Sequence, residues 1–75
     1  MSFSPNPATV KVGQKVAWQN SGGTDHTATQ NGGAFDTRAI PNGRTSVVIT
    51  MSTAGSFAYH CNFHPTMVGT LSVMQ

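Results

Sequence analysis

The chain has 75 residues, four basic and two acidic side chains, a formal net charge of +2, and a single cysteine. A chain this short is one domain, and one thiol excludes an internal disulfide, so a small core is left to a metal or a partner for extra support. No apolar run could span a membrane, and Lys11, Lys15, Arg38 and Arg44 are scattered without the interleaved aromatics of a nucleic-acid binder.

In chain order, Val10 and Val12 alternate with Thr9 and Lys11, which predicts a half-buried strand ending at Gly13-Gln14. Val16 and Trp18 share one face of a second strand, closed by Asn20-Ser21-Gly22-Gly23. Residues 26–30 predict a short strand after that turn, and Asn31-Gly32-Gly33 breaks it before a brief Ala34-Phe35-Asp36 segment. Thr45, Val47 and Ile49 alternate with Ser46, Val48 and Thr50, so this strand is expected to be buried on both faces. Phe57, Tyr59 and Cys61 share a face of the next strand, and Gly69, Leu71 and Val73 share a face of the last. Short strands at this spacing, with turn residues between them and no sustained helical period, predict an all-β sandwich or barrel. There is no internal repeat or linker, and no signal peptide is recognisable ahead of Ser2.

The chemistry is concentrated in Tyr59-His60-Cys61-Asn62-Phe63-His64-Pro65-Thr66-Met67. Thiolate, imidazole and thioether form a soft donor set that favours copper over magnesium, calcium or manganese. Two histidines, one thiolate and a weak axial methionine make the trigonal site of blue-copper electron-transfer centres. Cys61 ends a strand and Pro65 prevents the following residues from extending it, so the chain must turn and His64 and Met67 can face the same point. His26, which follows a turn-rich stretch, is the candidate for the second imidazole. His60 is expected to point to the opposite side, because side chains alternate across a strand. Met1, Met51 and Met74 lack ligand spacing and read as fillers or surface residues. Without its neighbours Cys61 would read as a buried packing residue. A structural zinc site of Cys61, His26 and His64, with Met67 in the core, is a competing reading, although such sites usually carry more cysteines.

These residues resemble a small cupredoxin of the plastocyanin and amicyanin type. The likeness is carried by Phe3-Ser4-Pro5, by residues 10–20 from Val10 to Asn20, by His26-Thr27-Ala28-Thr29, and by residues 55–69 with their Cys-x2-His-x2-Met spacing. The resemblance implies a Greek-key β-sandwich over residues 1–75, with one copper ion cycling between Cu(II) and Cu(I) at one end. By the same likeness His26, Cys61 and His64 are equatorial ligands and Met67 is the axial one. It further implies a periplasmic or extracellular carrier of single electrons, docking redox proteins at the exposed edge of His64. Phe63, Pro65, Val68 and Pro7 are the candidates for an apolar ring around that edge. Two departures stand out. Thr27 occupies the position after the first histidine, where many members have asparagine, and a similar but shorter tie between the ligand segments is expected from its hydroxyl. Only Met1 and Ser2 precede Phe3, where the family usually has a further strand. A monomer is expected, with pairing of two chains through the uncovered edge as the alternative.

An enzyme is not expected, since the sequence has no paired carboxylates, no Ser/His/Asp set and no phosphate loop. The alternative function is a copper carrier or storage protein that uses the same ligands without electron transfer.

Overall fold

The computed structural model describes residues 2–75. Its strands are β1 (Ala8–Lys11), β2 (Lys15–Val16), β3 (Thr29–Gln30), β4 (Ile49–Thr50), β5 (Gly55–His60) and β6 (Val68–Met74). The first strand folds back where the sequence places Gly13, whose φ of 91° suits glycine, and the Gln14 amide donates to the Lys11 carbonyl at 3.0 Å.

Two sheets result, one of four strands in the order β1-β6-β5-β3 and one of β2 with β4. In the larger sheet β5 and β6 form a long antiparallel ladder, from Gly55 opposite Val73 to His60 opposite Val68. β1 lies parallel to β6, with Ala8 opposite Leu71, and β3 lies antiparallel to β5, with Thr29 opposite His60. The smaller sheet extends beyond its named strands through a bridge between Gln19 and Thr45. Because strands distant in sequence are neighbours in space, the connections cross the ends of the sandwich in the Greek-key manner.

Side-chain alternation selects the core. Gly69, Leu71 and Val73 of β6 and Tyr59 of β5 face inward, as their spacing predicts, and join Ala28, Phe35 and Met51. Tyr59 organises this cluster, with its ring centroid 4.7 Å from Phe3, 5.4 Å from Trp18 and 5.9 Å from Phe35. Burial pushes its phenol above the ordinary tyrosine range, against a smaller lowering by its hydrogen bond with Trp18, so the ring stays neutral in the core. Gly69 stands opposite Tyr59 in the ladder, and a Cβ there would lie 2.6 Å from Tyr59 Cζ.

The segment 45–50 departs from expectation. Val47 and Val48 are 62% and 61% exposed and, of the apolar residues, only Ile49 is half-buried, so the strand is not covered on both faces. The reason is its place in a narrow two-stranded sheet, with the sandwich on one side and solvent on the other. Val12 is likewise on the surface. The strand expected over 26–30 is regular only at Thr29–Gln30, because His26 instead bridges Ile40 and the Ala28 amide donates to the Thr37 hydroxyl.

No strand forms among residues 2–7. Residues 2–5 and 16–19 flank a groove of about 430 Å³ that reaches Trp18, Tyr59 and Leu71. Trp18 and Asn20 direct their backbone groups toward residues 43–46, whereas Ala17 and Gln19 alternate away from them and make no backbone hydrogen bond among the described residues.

Candidate metal centre

Cys61 follows β5 directly and keeps the inward direction of Tyr59, which puts its sulfur at the end of the core, fully buried. The chain then closes on itself before β6 begins. The Met67 amide donates to the His64 carbonyl at 2.8 Å, and the Cys61 amide donates to the Met67 carbonyl at 3.0 Å. This turn, which contains Pro65, returns His64 and Met67 to the end of the strand they left. The Met67 side chain is buried and that of His64 is partly exposed.

His26 arrives from the other side of the sandwich. It exchanges backbone hydrogen bonds with Ile40, at 3.2 and 2.7 Å. The turn that delivers it is tied by buried Asn20, whose amide group donates to the Thr24 and Ile40 carbonyls at 2.7 Å and accepts from the Gly22 N–H at 2.9 Å. A Cβ at Gly22 would lie 2.7 Å from His26 Nε2, so the close approach of ring and backbone requires glycine there.

The ligand atoms of His26, Cys61 and His64 all lie within 4.8 Å of one another. Cys61 Sγ is 3.7 Å from His26 Nδ1 and 3.6 Å from His64 Nδ1, and the two imidazole centroids are 4.9 Å apart. A metal about 2.3 Å from sulfur and about 2.0 Å from nitrogen separates those donors by about 3.7 Å in a trigonal plane and about 3.5 Å in a tetrahedron. The two observed sulfur–nitrogen spacings match those values, and both imidazoles approach the sulfur with the same ring nitrogen, Nδ1.

Two hydrogen bonds hold the sulfur and the loop. The Thr27 amide donates to Cys61 Sγ at 3.4 Å, and the Thr27 hydroxyl accepts from the Asn62 amide at 2.9 Å. The tie expected from Thr27 is therefore present, and it reaches the peptide directly after the cysteine. His60 lies on the other side of β5, as alternation requires, with Nδ1 2.6 Å from Asn31 Oδ1 and Nε2 2.9 Å from Asn62 Oδ1. Several exposed residues that flank His64 in the chain are apolar. Phe63 is 53% and Val68 57% exposed, Pro65 is exposed, and the Asn6 side chain, which donates to the Val68 carbonyl and accepts from the Thr70 N–H, sets Pro7 beside the start of β6.

Asn20 and Gly22 were not singled out as site residues by sequence reasoning, although they form the turn it recognised. The signal was the compact Asn-Ser-Gly-Gly run shortly before a histidine, which marks a turn but not the side-chain amide that ties it.

A small Greek-key sandwich with a buried cysteine sulfur and two imidazoles converging at one end defines the cupredoxin class of protein. The chain belongs to the cupredoxin-like domain family, which it matches over residues 1–73. It is similar to plastocyanin of Scenedesmus fuscus, with 27% identity over 88 aligned positions covering 95% of this chain and 85% of that protein. Among solved structures it is similar to a reduced Cu(I) form of an amicyanin variant, with 27% identity, a TM-score of 0.88, and 97% of this chain and 73% of that one covered. It is also similar to a purple cupredoxin from Nitrosopumilus maritimus, with 26% identity, a TM-score of 0.84, and 93% and 79% covered.

Proposed function

We propose that residues 1–75 act as a single cupredoxin domain that carries single electrons, with one copper ion held by His26, Cys61, His64 and Met67. The observation that carries this reading is the placing of one buried cysteine sulfur at 3.6–3.7 Å from two imidazole nitrogens. Bound copper supplies a one-electron couple between Cu(II) and Cu(I). The chain's part is to make both states acceptable in one geometry. Thiolate and thioether suit Cu(I) while imidazole serves either state, and the ladder, the 61–67 turn and the Asn20-tied turn hold these donors in place. The Thr27 amide on Cys61 Sγ withdraws electron density from the sulfur and so tunes the potential.

Four donors from the protein leave no position for a substrate, so the reading is a carrier and not an enzyme. Electrons enter and leave through the exposed edge of His64, where the apolar surface of Phe63, Pro65 and Val68 suits brief docking of a redox protein. The carrier works as a monomer in the periplasm or outside the cell, where a lone thiol needs the protection that ligation provides.

Addition of Cu(II) to the metal-free protein tests this directly. An intense blue or purple thiolate-to-copper band that disappears on one-electron reduction and returns on oxidation is the expected result. A colourless stable complex would indicate a zinc site, and rapid bleaching with loss of the metal would indicate a protein that delivers copper.

A further inference from the structure

The tie between Thr27 and the ligand loop does not end at Thr27. Its hydroxyl lies 3.0 Å from that of Thr29, and the Thr29 hydroxyl donates to Asp36 Oδ1 at 3.1 Å. Asp36 Oδ1 also accepts from the Arg38 amide at 2.8 Å, which fixes the carboxylate in place. Thr27 is buried, Thr29 half-buried and Asp36 exposed, so this series of groups runs from solvent to the peptide beside Cys61.

Its direction is determined. A carboxylate only accepts, so the single Thr29 hydroxyl proton is used on Asp36. Thr29 oxygen is then left as the acceptor, and Thr27 donates to it. With its own proton committed, Thr27 oxygen accepts from the Asn62 N–H. All three donors point the same way, and an ionised acceptor at the far end polarises each hydroxyl and strengthens the next bond. The Thr27 proton is also kept away from Cys61 Sγ, whose hydrogen bond from this residue is the backbone amide alone.

We infer that Thr29 and Asp36 are positioning residues of the metal centre, acting through the Thr27 hydroxyl on the Asn62 amide and hence on the Cys61 end of the ligand loop. The inference rests on the metal-centre reading above. Asp36 is one of only two carboxylates among the side chains of the chain, Asp25 being the other.

Amide hydrogen exchange in the metal-free protein tests it without depending on which ion is bound. Thr29→Val keeps the Asp36 charge and breaks the series, and Asp36→Ala removes its acceptor. In both variants the Asn62 amide should exchange roughly three- to tenfold faster, the scale of one weakened hydrogen bond, while Leu71 and Val73 in β6 keep their rates. Asp36→Asn, which can still accept from Thr29 and Arg38, should stay nearer the parent protein than Asp36→Ala does. In the copper-loaded protein, Thr29→Val should also move the thiolate-to-copper band and the reduction potential, although the net charge is unchanged. Unaltered Asn62 exchange in both Thr29→Val and Asp36→Ala would overturn the inference and end the series at Thr27. Equal acceleration of Leu71 and Val73 would also overturn it, by showing that the substitutions only loosen the sandwich.

Discussion

Individual residues divide the work at this centre by chemistry, and substitution should separate them. Replacing Cys61 with Ser removes the thiolate, so the intense visible band should vanish; a variant that stayed intensely blue would exclude Cys61 as the ligand. Met67→Leu removes a long axial donor whose electron donation counts more for the doubly charged Cu(II) than for Cu(I), and should leave copper bound with a higher reduction potential. His60→Ala should leave the visible spectrum nearly unchanged, since that ring is engaged by Asn31 and Asn62 on the far side of β5. Gly22 offers a different kind of test. A methyl group there would stand 2.7 Å from His26 Nε2, so Gly22→Ala must displace either the ring or the turn. Copper affinity should fall at least tenfold, about 1.4 kcal/mol, with a perturbed spectrum; a titration matching the parent protein would show that the turn yields freely.

At the scale of elements, the β5–β6 ladder and the turn that joins it set the site, and this was also the most legible part of the sequence. Phe57, Tyr59 and Cys61 alternate with Ser56, Ala58 and His60, so the large side chains mark one face, with Cys61 on it and His60 on the other. The 45–50 segment shows where the same pattern fails. Apolar residues on both faces suggested a strand buried on both sides, but Val47 and Val48 are exposed because the strand belongs to a sheet of two. Alternation describes a residue's direction and cannot show whether another layer lies there. The path from Thr27 to Asp36 was illegible for a related reason, since it depends on which hydroxyls the fold brings within 3.1 Å. Within the ladder, Gly69 is the residue that adapts one strand to the other. An Ala there would place Cβ 2.6 Å from the Tyr59 ring, at the centre of the aromatic cluster. Overpacking of this kind costs about 1–3 kcal/mol, so Gly69→Ala should lower the denaturant midpoint by that equivalent. An unchanged midpoint would mean that Tyr59 can shift without disturbing Phe3, Trp18 or Phe35.

For the whole molecule, the question is how a chain of 75 residues with no disulfide keeps its fold. A domain of this size buries only about 60% of the surface that its unfolded chain exposes, and here the core is a handful of side chains around Tyr59 and Leu71. The proposed ligands come from both sides of the sandwich: His26 from the segment bridged to Ile40, and Cys61, His64 and Met67 from the turn between β5 and β6. An ion that binds all of them therefore fastens segments 35 residues or more apart, and the unfolded chain does not hold those donors together. Binding to the folded state alone adds about 2.7 kcal/mol at a free metal concentration one hundred times Kd, and about 1.4 kcal/mol more for each further tenfold. For a domain of this length each kcal/mol raises Tm by roughly 4–8 °C, so copper at that excess should raise Tm by about 10–20 °C over the metal-free protein. The increment should grow with free metal and should be largely lost in Cys61→Ser, where the thiolate is gone. Reversible melting curves that coincide with and without copper would show that the site lies on the sandwich without holding it together.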